Sequence, residues 1–534
     1  MTGVGLVRRA AALLLVATFV LTACSSSDGD TPSAGSDVTT GGEASDVDPN
    51  GVMKVGYDLI QSGTSAVRLD LTTAAEATTG QDPIYYLIFG RFLKPAEDGT
   101  LTPDLAESAE IVDDSTIEVV LKPDLTFSDG SPFDAAAVKA SFDLILASKA
   151  TNEKAYLPPF YDLEAVTVVD PTTARFTIAD GRAASWYDAH IPTWTSSVIK
   201  VEGRDSLKPI GAGPYIVEEF VPDESLVLTK NPSYWNADAV LIPRIEFVQV
   251  AFANAQQGVA ALETGQVDST FTEPSLIQTL SGGLEAFSRP SATNSVSIHI
   301  CKREGPLADA RVRTAINKAL DRQAISEAVY FGTAEPATQM WPTGHRLNVA
   351  ELDDDLAYDP EGARQLLQEA GYADGFSVDI YPIQAFNLDE TAEVMQAQLK
   401  EIGITLNIIP TPDYVGQFLN SNAPAMGIYP SNTPGTGKLN AWTGDSIGNV
   451  CKYDDPELNA VTSRLKAVSE NSDEAVELWA EASEIAIGDA LNGWVVWRSQ
   501  LAAYNPERLG DYQPLPLGNY IIPDPFVTYV KTGS

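Results

Sequence analysis

From Gly51 onward, short apolar or alternating runs take turns with longer stretches in which apolar positions recur every three or four residues. That alternation is the pattern of strands and helices stacked in layers, so the class it predicts is α/β. Val52-Met53-Lys54-Val55-Gly56-Tyr57 reads as an opening strand, and Ser115–Leu121 and Ala174–Ile178 as two more. Asp134 is placed to N-cap a helix whose Val138, Phe142 and Ile145 share one face. Asp359-Pro360 starts another, with Leu366, Leu367 and Ala370 inward and Gly371 as its stop. Asn254–Glu263, ending at Gly265, leads into a short strand at Val267, and Asp389–Ile402, ending at Gly403, leads into Ile404, Leu406 and Ile408. Helix, glycine, strand is the order of an α/β unit. No fixed-period repeat is present.

The N-terminal pattern is different. Arg8 and Arg9 precede an apolar run from Ala10 to Val20 broken only by Thr18, the layout of a secretory signal and too short for a membrane span of about 20 residues. Leu21-Thr22-Ala23-Cys24 resembles a bacterial lipobox, so residues 1–23 are expected to be removed and Cys24 to carry lipid. Residues 25–50 hold only Ala34, Val38, Ala44 and Val47 as apolar residues. Residues 24–50 therefore read as a lipidated cysteine with a disordered tether, whose r.m.s. reach as a flexible coil is roughly 28 Å.

Composition narrows the function. The chain has 534 residues, 44% of them apolar, enough for three to four domains' worth of packed core. Its formal charge of −39, or −41 once Arg8 and Arg9 are gone, excludes nucleic acid, because phosphate binding requires Lys and Arg to displace counterions. Beyond Cys24 two cysteines remain, Cys301 and Cys451, in an exported context that permits oxidation. A bridge between them and two separate buried thiols are equally compatible with the sequence.

Catalytic and metal motifs are weak. Ser197-Val198-Ile199-Lys200 has Ser-x-x-Lys spacing but no accompanying Lys-Thr-Gly or Gly-x-Ser-x-Gly. His190, His299 and His345 lie far apart, without Cys or His at ligand spacing, so neither a metal nor a cofactor is expected. Gly211-Ala212-Gly213-Pro214 does not suit a phosphate loop, since Pro214 removes an N–H, and it reads as a turn opening a strand. Tyr234 and Trp235 follow the turn signal Asn231-Pro232 and are expected to pack it; Arg311 and Arg313 are expected on a solvated helix face.

Seven segments in order carry a resemblance: Pro103–Ser108; Phe127-Ser128-Asp129-Gly130-Ser131-Pro132-Phe133; Gly211–Tyr215; Leu228–Trp235; Leu262–Asp268; Arg311-Val312-Arg313 with Ala319–Arg322; and Asp359–Tyr372. Together they resemble the family 5 extracellular solute-binding proteins, the oligopeptide-, dipeptide- and nickel-type receptors of bacterial ABC importers. The resemblance implies a two-lobed, type II periplasmic-binding-protein-like clamp with an inserted subdomain. Its first lobe maps to 51–95, 209–296 and 501–534, the insertion to 96–208 and the second lobe to 297–500, with Ser295–Cys301 as one crossover. Val296, Ile298 and Ile300 would share one face of that strand, leaving Ser297, His299 and Cys301 on the other.

It further implies a monomeric, membrane-anchored receptor that captures a small solute, first of all a peptide, and hands it to a permease and ATPase on separate chains. No GxxxxGK[ST] loop occurs here; Gly437-Lys438 runs into Leu439. Peptide receptors of the family commonly place an acidic residue in an aromatic Asp-Tyr stretch for the peptide amine. The corresponding stretch, Met426–Pro434, has no carboxylate, which leaves room for a sugar, an opine-like acid or a metal chelate; Asp445 is a possible substitute. Ligand candidates are Tyr57, Trp341, Tyr429, Asn432, Trp442, Asp445 and Arg498. Trp494 and Trp497 read as residues of a buried strand, and Trp479 as helix core. An exported hydrolase and a lipid-anchored adhesion protein are the rivals from other classes.

Overall fold

The computed structural model describes residues 46–60, 67–71, 82–96, 100–151, 162–179, 181–251, 254–301, 305–383, 386–411, 414–419, 425–431, 435–444, 449, 451–517 and 521–533. The signal, Cys24, nearly all of the tether, Asn432 and Asp445 lie outside these residues. No helix among the described residues is long and apolar enough to cross a membrane.

Three main sheets organise the chain. The first has seven strands in the order Glu285–Arg289, Gln500–Tyr504, Ser269–Phe271, Val52–Tyr57, Arg244–Gln249, Ser225–Lys230 and Tyr215–Val221. Val52–Tyr57 runs parallel to both of its neighbours, and the remaining pairs are antiparallel. The second has six strands, Ala334–Pro336, Asn492–Arg498, Ser295–Cys301, Ala425–Ser431, Phe376–Pro382 and Ile404–Ile408. The third is antiparallel, with Ala106–Asp113, Thr116–Leu121, Thr173–Ile178 and Leu163–Val168 side by side. The first and third sheets share one continuous core. The second has its own core on one face, built on Val296, Ile298 and Ile300, and an indole-rich cluster that includes Trp341, Trp442, Trp479, Trp494 and Trp497.

Local signals act where expected. Asp134 Oδ1 accepts from Ala137 N at 2.9 Å, and Asn254 and Asp359 cap their helices in the same way. Gly403, at φ +89°, ends the helix Leu388–Glu401 and releases the chain into Ile404–Ile408. Val267 is buried but precedes its strand, which begins at Ser269. At Gly211 and Gly213 an added Cβ would sit 2.2 Å from Ile88 O and 2.6 Å from Ile88 C, so these glycines serve close approach to the end of the helix Asp82–Phe89. The turn they form leads directly into Tyr215–Val221.

Two of the sequence motifs meet at one buried node. Asp104 accepts from Tyr234 Oη at 2.5 Å, Trp235 Nε1 at 3.0 Å and the Arg91 backbone at 3.0 Å. Arg91 is ion-paired with Asp82, also buried. One expectation is corrected: Arg313 is 2% exposed and donates to the carbonyls of Leu307, Ala308 and Asp489, whereas Arg311 is exposed and paired with Asp309. An arginine has five donors, and only a ring of carbonyls makes its burial tolerable.

The chain passes between the first and second sheets twice, through residues 290–294 and through Ser499. Ser295–Cys301 is therefore a central strand of the second sheet, and the crossing is made by the five residues before it. Arg498 N donates to Asn294 O at 2.7 Å, tying the two crossings together.

Candidate functional site

Both crossings border a cavity of about 560 Å³, lined on one side by Pro290, Ser291, Ala292 and Ser499 and on the other by Thr333, Glu335, Thr343, His345 and Trp497. A smaller one of about 20 Å³, with room for about one water, adjoins it through Trp497 and is lined by Ser295, Ser297, Tyr429, Ser431, Lys438, Trp442, Asn492 and Trp494.

Strand geometry explains this wall. Ser295 and Ser297 alternate with the core residues Val296 and Ile298 and so face the smaller cavity. Trp494 and Trp497 are three apart and should face opposite sides of a regular strand. The register instead shifts between Val296 and Ser297: Val296 pairs with Val496 and Ser297 with Trp494, leaving Val495 as the extra residue. This bulge turns both valines into the core and both indoles into the site.

The turn Gly435–Ala441 brings in Lys438. Its Nζ lies 4.5 Å from the Trp341 ring centre and 4.8 Å from that of Trp497, and donates to Ala292 O at 3.0 Å. Burial pulls its pKa down to about 7, against the opposing charge of Glu470. Glu470 is pushed up to about 7, first by burial and then by Asp188. His345 stacks on Trp341 at 4.4 Å and is held neutral, its pKa lowered to about 4 by burial and by Lys438 and Arg346. Tyr429 stacks on His299 at 3.9 Å, and burial keeps that imidazole neutral as well. Among the described residues, Trp341 Nε1, Trp442 Nε1 and Asn492 Oδ1 are buried without hydrogen-bond partners.

Of the sequence candidates, Trp341, Tyr429 and Trp442 come together around Lys438. Arg498 lies one residue beyond Trp497, over the Phe386 ring at 4.5 Å. Tyr57 packs edge-on against Phe247 at 5.8 Å in the core of the first sheet and lines neither cavity. Trp479 is core, in the helix Asp473–Gly488. Lys438, Ser295, Ser297, Asn492, Trp494 and Trp497 were not among the sequence candidates. Lys200 Nζ is engaged by Asp129 at 2.5 Å, and His190 is half-buried, its Nδ1 3.1 Å from Thr195 Oγ1. No group of three or more His, Cys, Asp or Glu among the described residues is placed to hold a metal. Cys451 is disulfide-bonded; it packs in a cluster with Ala425, the register partner of Cys301.

Comparison with known proteins agrees with this layout. The model of the bacterial extracellular solute-binding proteins, family 5 (middle), matches residues 100–447. The glutathione-binding protein GsiB of Salmonella paratyphi A is 31% identical over 314 residues, 57% of this chain and 60% of that protein. GsiB of Escherichia coli K12 is 30% identical over the same span. The chain thus spans about 60% of the length of these curated relatives. In structure it is similar to the substrate-binding protein CtaP from Listeria monocytogenes (TM-score 0.73, 22% identity, 90% of this chain and 99% of that one). It is also similar to NikA from Brucella suis, solved with Fe(III)-EDTA (TM-score 0.74, 19% identity, 90% and 100%). The fold is α/β and type II periplasmic-binding-protein-like, and the chain belongs to the family 5 bacterial extracellular solute-binding proteins.

Proposed function

We propose that this protein is the membrane-anchored, extracytoplasmic substrate-binding component of an ABC importer, capturing a small solute between two lobes and delivering it to a separate permease. The observation that carries the reading is the cavity of about 560 Å³ at the two inter-sheet crossings, walled by Trp497, His345 and backbone-rich segments. That size and position suit a drug-sized or peptide-sized ligand, and two crossing segments are the place where a hinge acts. A micromolar ligand needs about −8.2 kcal/mol net, within reach of an aromatic wall and a few polar groups.

The lobes are read as 51–95, 209–296 and 501–534 for the first, 297–500 for the second, and 96–208 for the insertion. The anchor is the lipidated Cys24, with 24–50 as tether, and Cys301 is read as the disulfide partner of Cys451. A non-reducing peptide map that links 301 to 451 checks this pairing, and a map that links Cys451 elsewhere overturns it.

A peptide or related amino-acid derivative is the preferred solute. Glu335 lines the larger cavity and supplies the carboxylate that the stretch Met426–Pro434 lacks. The protein purified without its signal should retain a solute visible by native mass spectrometry and become more compact in solution scattering when that solute is restored. Retention of a protein ligand with no compaction would favour the adhesion reading instead.

A further inference from the structure

We infer that Lys438 anchors an anionic group, a carboxylate, of the bound solute; this deepens the receptor reading above and rests on it. Lys438 is half-buried in a chain of formal charge −39, yet it forms no ion pair among the described residues. Of the three donors of its ammonium, one goes to Ala292 O and the indole faces of Trp341 and Trp497 flank the group. Glu470 acts on it through charge, while the Glu470 carboxylate itself lies against Gly435 at the start of the turn. A partly desolvated cation whose nearby opposing charge, Glu470, makes no ion pair with it is costly, and a structure that keeps one beside a cavity is prepared for an anion.

The neighbouring orphan groups agree. Trp341 Nε1 and Trp442 Nε1 are buried donors without partners among the described residues, and an indole N–H can only donate. A carboxylate can only accept. Asn492 Oδ1 is the acceptor left over in the same wall, suited to an N–H or O–H of the same solute. Ala292 lines the larger cavity and Trp497 lines both, so Lys438 stands at the partition between the two spaces and a carboxylate reaching it can leave the rest of its solute in the larger one.

The test uses the protein purified without residues 1–24. A bacterial metabolite extract and a casein hydrolysate are each offered untreated and after methyl esterification of their carboxyl groups, and the retained species are read by native mass spectrometry. We expect the wild type to retain species from the untreated samples and to lose them, by tenfold or more, from the esterified ones. Lys438→Met should retain none, and Lys438→Arg should recover retention at least in part. Melting temperatures of both variants show that they are folded, and should Lys438→Met fail to fold, the acid-against-ester comparison on the wild type decides alone. Equal retention of acids and esters, or unchanged retention by folded Lys438→Met, overturns the anionic anchor and leaves the receptor standing. Retention of nothing from any sample overturns both.

Discussion

The backbone N–H of Glu470 donates to Asp188 Oδ2 at 2.5 Å, and Ser469 Oγ donates to Oδ1 at 3.2 Å, joining the loop before the helix Asp473–Gly488 to the helix Ala183–His190. Arg346 holds the same loop through the carbonyls of Glu470 and Ser472. The contact bridges the unit of the four-stranded sheet and the indole cluster, and it places two carboxyl groups close together. Burial raises both, and each is worse off ionised because of the other or because of lost water.

A carboxyl raised from 4.5 to about 7 contributes stability that is fully present below pH 4.5 and lost as pH rises through about 7. Glu470→Gln should remove that decline. Melting followed from pH 5 to 8 is expected to fall less for the variant than for the wild type, with a gain on the order of 2 kcal/mol at pH 8. Parallel curves would show that Glu470 ionises without penalty.

Trp442 is 3% exposed within the indole cluster, so Trp442→Ala tests packing as much as binding. Trp442→Phe keeps most of the ring and removes the Nε1 donor. Solute affinity should drop about five- to tenfold, the worth of one hydrogen bond of about 1–1.4 kcal/mol, with a melting shift smaller than that of the alanine variant. Calorimetric titration with the solute identified by mass spectrometry measures it.

Affinity for a carboxylate solute should fall as pH rises above about 7. Lys438 loses its proton there, and binding an anion must then restore it. The titrating groups beside Lys438 act in the same direction or not at all: Glu470 ionises near the same pH and competes with the anion, and His345 is already neutral. The slope should approach tenfold per pH unit between pH 7.5 and 9. In the empty protein the sense reverses, because a lysine lowered from 10.5 to about 7 adds stability as pH rises through that window. Flat affinity from pH 6 to 9 would contradict the assignment of Lys438.

Arg313 closes the end of the helix Asp473–Gly488 through Asp489 O and the turn at Leu307 and Ala308. Arg313→Ala leaves those carbonyls buried and unmet, at about 1–3 kcal/mol for each that water cannot reach. Melting should fall by several degrees with solute affinity unchanged, since the residue lines neither cavity. Equal losses in both would show that the helix end and the site are coupled.

The helices with strong caps and regular faces were legible in the sequence, as were the buried Trp479 and the two faces of Ser295–Cys301, because these depend on neighbours three or four residues away or on simple alternation. Arg313 was misread because its burial depends on Asp489, 176 positions later. Trp494 and Trp497 were set aside as residues of a buried strand, and the bulge that turns both toward the site arises only from pairing with Ser295–Cys301. Lys438 was seen only as the end of a failed phosphate motif; its meaning comes from Trp341, Trp497 and Ala292, drawn from three remote segments. By itself the sequence determined the α/β class, the family and the order of helix and strand, since local periodicity and short motifs carry those. The tertiary structure alone decided which face each indole takes and which cation stands half-buried without an ion pair, because both depend on strand register and on contacts between segments more than fifty residues apart.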